Sequence, residues 1–174
     1  RAEMDRCARE GTPRPESSAV RAHVPAAFWF FANAWDDLFR KGVVEHPLKE
    51  LCRVYVSHSV KCDYCGNQRS ERGREQGLEE GKYDELLNFE SSERYSEREK
   101  AALAYAEAVT FSDRQPAAEH FARLGCHFDD DAIIELTGLI AFQNLSSKFN
   151  AALGVEAQGF CSAAPQPGES ARMS

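Results

Sequence analysis

Apolar positions along the chain recur at intervals of three and four, and the gaps between these runs carry proline, glycine and capping residues. Pro25 stands where a first helical residue is expected, ahead of Phe28, Trp29, Phe30, Phe31 and Trp35. This helix is predicted to end near Gly42, with Arg40 and Lys41 in its last turn. Pro47 opens a second, reaching about Val60, with Leu48, Leu51, Val54 and Tyr55 at helical spacing. A third is predicted from Cys62 to Gly77, polar at its centre, and a short piece follows between Tyr83 and Phe89. Ser96 and Glu99 form a capping-box pair for a fifth helix carrying Leu103, Tyr105, Ala106 and Val109. Pro116 to Leu124 is a sixth, stopped by Gly125. Asp129 to Asp131 suit the start of a seventh, which passes through Ile133, Ile134, Leu136, Ile140 and Leu145 to Phe149 and ends at Gly154. No alternation of period two and no repeat of fixed length is present. The prediction is an all-α bundle of about six to seven helices.

Composition sharpens this picture at the ends of the chain. Residues 1–20 are polar, with Gly11, Pro13, Pro15, Ser17 and Ser18 close together, and read as an arm rather than core. Residues 162–174 have the composition of a disordered tail, leaving one domain over 21–161. The most apolar window, Pro25 to Trp35, is too short to span a membrane, and no stretch reads as a signal peptide. A net charge of −7 argues against a partner recognised through its phosphates, so no nucleic acid is expected. The arginine-rich stretch from Arg69 to Arg74 is interrupted by Glu71 and continues into Glu75, Glu79 and Glu80, which reads as a solvated mixed-charge face. Six cysteines are scattered along a chain large enough to fold on its core, so free thiols in a reducing, cytoplasmic setting are expected.

Only Cys62 and Cys65 are close together, as the C-x-x-C segment Cys62-Asp63-Tyr64-Cys65. Two thiols at this spacing on a first helical turn can close a disulfide, and helix-start N–H groups favour a thiolate. Arg69, four residues past Cys65, would share its face on a continuous helix and favour a thiolate there. The motif alone leaves three readings open: a redox pair, half of a zinc site, or two buried small side chains. His58 and Cys52 lie upstream, but no second motif completes a zinc set, and neither a metal nor a cofactor is expected. Glu50, twelve residues before Cys62, would handle protons if a bend brings it to the thiols. Otherwise it is an exposed glutamate pairing with Lys49 or Arg53.

The phrase Leu48-Lys49-Glu50-Leu51, leading through Val54-Tyr55-Val56-Ser57 to Cys62-Asp63-Tyr64-Cys65, resembles the alkylhydroperoxidase D-like family, also called the carboxymuconolactone decarboxylase family. The similarity continues through Ser96 to Ala106 and into the last helix at Ile140 and Asn144, covering roughly Pro25 to Gly154. It implies an all-helical fold assembled as trimers or hexamers, a catalytic glutamate at Glu50, redox thiols at Cys62 and Cys65, and a tyrosine at Tyr64. The histidine of the family's peroxidase type falls on Arg69. Arginine stays protonated and cannot shuttle a proton, so Arg69 is left to stabilise a thiolate or hold an anionic substrate, and His58 to replace the shuttle. Gly66, Asn67, Gln68 and Ser70 form a polar cluster that either lines a pocket or is solvated.

The expected activity is a peroxidase of the alkylhydroperoxidase D type, cycling Cys62 and Cys65 between dithiol and disulfide at the expense of an unidentified thiol reductant. Its substrate would be a peroxide. Two alternatives stand beside it. One is a non-redox lyase or isomerase acting on a small carboxylated ring compound, for which Arg69 would serve as a clamp. The other is a non-catalytic helical module.

Overall fold

The computed structural model describes residues 15–155, and no strand occurs among them. Helix α1 spans Pro15–Ala22 and α2 Pro25–Ala34, continued by a π-helical turn over Trp35–Arg40. Then come α3 (His46–Ser59), α4 (Asp63–Gly66), α5 (Glu71–Glu75), α6 (Glu80–Asp84), a 3-10 turn (Leu86–Asn88), α7 (Glu97–Thr110), α8 (Ala118–Gly125) and α9 (Asp130–Ala152). The fold is the all-α bundle that the periodicity predicts and the resemblance implies. No helix among the described residues is long and apolar enough to cross a membrane.

The core forms where α3, α7 and α9 pack on one another. From α3 it takes Leu48, Leu51, Val54 and Tyr55, from α7 Leu103, Tyr105 and Ala106, and from α9 Leu136 and Ile140. Helix α3 is buried nearly all round, because α4, α5 and the 3-10 turn close over the faces that α7 and α9 leave open. A second cluster joins α2 and the π turn to α9 through Phe31, Trp35, Phe39, Leu139 and Phe142. Ile134 and Leu145, which fit the apolar spacing of the last helix, face outward.

Helix ends follow local chemistry. The Ser96 hydroxyl accepts from Glu99 N–H at 3.3 Å while the Glu99 carboxylate accepts from Ser96 N–H at 2.9 Å, and Asp129 accepts from Ala132 N–H at 2.9 Å. Lys49 is buried inside α3. Its ammonium meets Glu135 of α9 and donates to Lys41 O, and Glu135 also accepts from Val43 N–H at 2.6 Å. This clamp holds the loop that opens α3.

Two expectations are corrected. The single helix from Cys62 to Gly77 is two short helices separated at residues 67–70. There the backbone bonds to buried side chains of α3 instead of continuing a ladder. The polar run up to residue 20 is not all arm: from Pro15 it is α1, with Ser17 and Arg21 buried. Residues 1–14 of that arm and the expected tail at 162–174 lie outside the described residues, as do Cys7 and Cys161.

Candidate active site

The C-x-x-C pair is set by the end of α3. Lys61 takes a left-handed conformation (φ 56°), so that its N–H reaches His58 O at 3.0 Å and Cys62 N–H reaches Ser57 O at 2.9 Å. This close reverses the chain and makes Cys62 the N-cap of α4, with Cys65 one turn along. Neither cysteine is in a disulfide, and both are buried. Their side chains share a hydrogen bond, which together with burial pushes the Cys62 thiol far up, whereas Cys65 N–H and the Ser147 hydroxyl act in the opposite sense. Asn150 donates its amide N–H to Cys65 Sγ at 3.2 Å. Both sulfurs thus have fixed donors: Asn150 on Cys65, and Ser147 with Cys65 N–H on Cys62.

Glu50 is fully buried, and so is Arg53. Arg53 donates Nε to Glu50 Oε2 at 2.7 Å and Nη2 to Glu50 Oε1 at 2.8 Å. The same guanidinium donates to Cys65 O at 2.8 Å and to Gln68 O at 2.7 Å, and Ser70 N–H donates to Glu50 Oε1 at 2.9 Å. One buried ion pair thus holds both ends of the segment that carries Cys65. Burial alone would raise the Glu50 pKa, but the charge and hydrogen bonds of Arg53, then Ser70 N–H and His46, hold it below the usual carboxylate range. Glu50 is a fixed negative charge at neutral pH. It is neither exposed nor bonded to a thiol.

The other expected site residues divide. The His58 ring lies against Gly66, where an added Cβ would come within 3.0 Å of Cε1 and Nδ1. Burial, then the charges of Arg69 and Arg53, push its pKa down, so it stands neutral beside the thiol turn. Tyr64 donates its hydroxyl to Ser17 Oγ of α1 at 3.2 Å. Arg69 does not share a helical face with Cys65, because α4 ends at Gly66. Its Nη1 donates to Gly66 O at 2.7 Å and Gln68 O at 3.2 Å, its Nε pairs with Glu80 at 2.9 Å, and its guanidinium lies 4.1 Å from the Tyr83 ring centroid. An arginine so engaged is not a clamp waiting for a carboxylate. Gln68 and Ser70 of the polar cluster are buried, and no protein partner among the described residues meets the Gln68 amide.

Sequence reading missed the wall opposite the thiols. Gln143, Ser146, Ser147 and Asn150 are all buried on α9, at i, i+3, i+4 and i+7. Gln143 donates to Ser57 Oγ at 3.0 Å and to Ser147 Oγ at 2.8 Å. A polar stripe at helical spacing in an otherwise apolar helix was the available signal. Arg21 of α1, also missed, donates to Asn150 Oδ1 at 3.2 Å and Ser146 Oγ at 3.3 Å. A cavity of about 360 Å³ opens elsewhere, walled by Phe39, Arg40, His46, Ser70 and Arg72, and neither cysteine lines it.

No group of three or more His, Cys, Asp or Glu side chains among the described residues is arranged to hold a metal. Cys52, weighed above as a zinc ligand, sits in the core with its thiol pushed up to about 12, by burial first and then the Glu99 charge.

Residues 25–108 match the model of the carboxymuconolactone decarboxylase family. The chain belongs to this family. It is 30% identical to the uncharacterised protein YnjA of Escherichia coli (strain K12) over 122 residues, 70% of this chain and 67% of that protein. Among solved structures, a variant of the debrominase Bmp8 in complex with 2,3,4-tribromopyrrole superposes with a TM-score of 0.71 at 25% identity, covering 83% of this chain and 77% of that one. An alkylhydroperoxidase AhpD core, a peroxidase-related protein from Ralstonia eutropha JMP134, superposes with a TM-score of 0.69 at 22% identity, covering 79% and 74%. This last likeness concerns the fold.

Proposed function

We propose that the family member described here is a thiol-dependent oxidoreductase that reduces peroxides through Cys62 and Cys65. The observation that carries this reading is the hydrogen-bonded pair of reduced thiols, enclosed by the polar side chains of α9 and α1. Cys65, as thiolate, attacks the terminal oxygen of a hydroperoxide. The O–O bond breaks, Cys65 becomes a sulfenic acid, and the alkoxide takes the Cys62 proton to leave as an alcohol. The Cys62 thiolate then attacks the Cys65 sulfur, forming the disulfide and expelling hydroxide, which takes a solvent proton to become water. A dithiol reductant restores the pair in two thiol–disulfide exchanges. Glu50 acts in this scheme as the positioning charge for Arg53 and the Cys65 turn, and Asn150 as the donor to sulfur.

A second reading rests on the likeness to Bmp8: a two-electron reductive dehalogenation that ends in the same disulfide, with the carbon taking a proton in place of bromine, which leaves as bromide. Mass mapping after mild peroxide treatment tests the thiol chemistry. It should show one linkage, Cys62–Cys65, together with peroxide consumption when a dithiol donor is supplied, both lost in Cys62→Ser and Cys65→Ser. Unchanged thiols after peroxide would overturn the first reading, and bromide release from 2,3,4-tribromopyrrole would favour the second.

A further inference from the structure

Arg21 is a polar residue that the scheme above does not use, yet it is buried beside the thiols. It sits in the last turn of α1, its guanidinium 3.7 Å from the Phe31 ring centroid and 5.5 Å from that of Phe149. Two aromatic faces fix the plane of the group and favour its charge. Nη2 faces α9 and donates to Asn150 Oδ1 at 3.2 Å and Ser146 Oγ at 3.3 Å.

This contact decides which way the Asn150 amide points. A guanidinium only donates, so the atom facing Arg21 must be the carboxamide oxygen. The amide nitrogen is then turned to Cys65 Sγ, 3.2 Å away. Rotated by half a turn, the amide would set N–H against N–H at Arg21, repulsive in any state, and oxygen against sulfur at Cys65, repulsive once that sulfur is a thiolate. Cys65 has no solvent contact, so a negative charge on its sulfur depends on fixed donors.

We propose that Arg21 is a positioning residue that, through Asn150, keeps an N–H donor on the Cys65 sulfur and so makes Cys65 the reactive thiol of the pair. Helix α1 is thereby part of the site and not merely its cover. The charged and titratable groups around Cys65 are Arg21 through Asn150 on the α1 and α9 side, Arg53 on its carbonyl and His58 against Gly66 on the α3 side, Cys62 at the N-cap of α4, and Tyr64 within α4. Arg69 reaches the same turn at Gly66 O.

This proposal rests on the thiol chemistry above, but its test needs no turnover. The site-resolved rate of iodoacetamide alkylation at Cys65 is followed across pH in the parent, Arg21→Met, Arg21→Lys, Asn150→Ala and the double variant Arg21→Met/Asn150→Ala. Any loosening of α1 alters the plateau rate, whereas loss of the donor moves the midpoint. Arg21→Met and Asn150→Ala should each raise the midpoint by about one pH unit, Arg21→Lys by less, and the double variant no further than Asn150→Ala. A parental midpoint in Arg21→Met, or shifts that add in the double variant, would overturn the role through Asn150. If Arg21→Met does not fold, Arg21→Lys and Asn150→Ala decide, a parental midpoint in Asn150→Ala being sufficient to reject it. Failure of the peroxidase reading would appear separately, as thiols that alkylate with these midpoints but form no disulfide with peroxide.

Discussion

Arg53 donates to both carboxylate oxygens of Glu50, at 2.7 and 2.8 Å, and neither side chain has appreciable contact with solvent. The pair joins two levels of the structure. Within α3 it is an ion pair three residues apart, and across the fold it is the anchor for Cys65 O, Gln68 O and Ser70 N–H. A buried pair of this kind is most visible when one half is removed, because the other is left as an uncompensated charge.

Glu50→Gln should therefore destabilise the protein by about 3–5 kcal/mol, and Arg53→Met by a similar amount. The double variant Glu50→Gln/Arg53→Met should lose less than the sum of the single changes, by more than about 1 kcal/mol. Urea denaturation of the three variants measures this. Parental stability in Glu50→Gln would show that the carboxylate is not carrying the Arg53 charge, and would return it to the role of proton carrier.

The long helices were legible because their ends carry local signals: Pro47 for α3, Ser96 with Glu99 for α7, and Asp129 and Gly154 for α9. The break between α4 and α5 was not, since it depends on Arg53 and Glu50 capturing backbone groups 12 to 20 residues further along. Helix α1 looked like solvent-exposed arm for the same kind of reason. Arg21 finds its partners 125 and 129 residues away, and no window of sequence shows that. The cysteine pair was visible from spacing alone. An unbroken helix would put Arg69 on the face of Cys65, and the end of α4 at Gly66 takes it off that face.

Stability should fall as the pH drops from 7 towards 5. His46 is held below its ordinary value of 6.5, by burial first, and its ring nitrogens lie 3.2 Å from Phe39 O and 2.6 Å from Ser70 Oγ. His58 is depressed as well, by burial and then by Arg69 and Arg53. The unfolded chain takes up protons near 6.5 that the folded chain refuses, so the stability these groups contribute is present above that value and lost as pH falls towards their folded pKa values. Each such histidine adds a slope of up to about 1.4 kcal/mol per pH unit. In His46→Gln the decline of Tm between pH 7 and 5 should be shallower. Glu50 acts in the same direction at lower pH, beneath its ordinary 4.5, so the two are separable by window. An equally steep decline in His46→Gln would exclude His46 as a source.

Self-association is expected from the surface of α2. Trp29 and Phe30 are 54% and 53% exposed, and Val24, the N-cap of α2, is open to solvent as well. One chain leaves this apolar group without cover, the usual mark of a contact surface. Sedimentation at micromolar concentration should show an oligomer, and Trp29→Glu with Phe30→Glu should convert it to monomer while the helical circular dichroism persists. A parent that sediments as a monomer would remove the expectation.

Arg69 stands where the resemblance places the histidine of the peroxidase type, and its contacts define what it does in this fold. Its guanidinium holds Gly66 O and Gln68 O, pairs with Glu80 and covers the Tyr83 ring, whose own hydroxyl lies 3.5 Å from Glu50. These bonds brace the outer side of the segment that Arg53 braces from within. Arg69→Ala should therefore lower stability by about 1–2 kcal/mol, the scale of a lost charged hydrogen bond to backbone, and move the Cys65 alkylation midpoint less than Arg21→Met does. Arg69→Lys, with one cationic centre in place of a planar fork, should recover part of the stability but not hold both carbonyls. Arg69→His should resemble Arg69→Ala in stability, because an imidazole cannot span Gly66 O, Gln68 O and Glu80 together. Any gain in peroxide turnover in that variant would come from a proton carrier added to a loosened turn. The opposite pattern, parental stability with a Cys65 midpoint raised as far as in Arg21→Met, would make Arg69 the charge that the thiolate depends on.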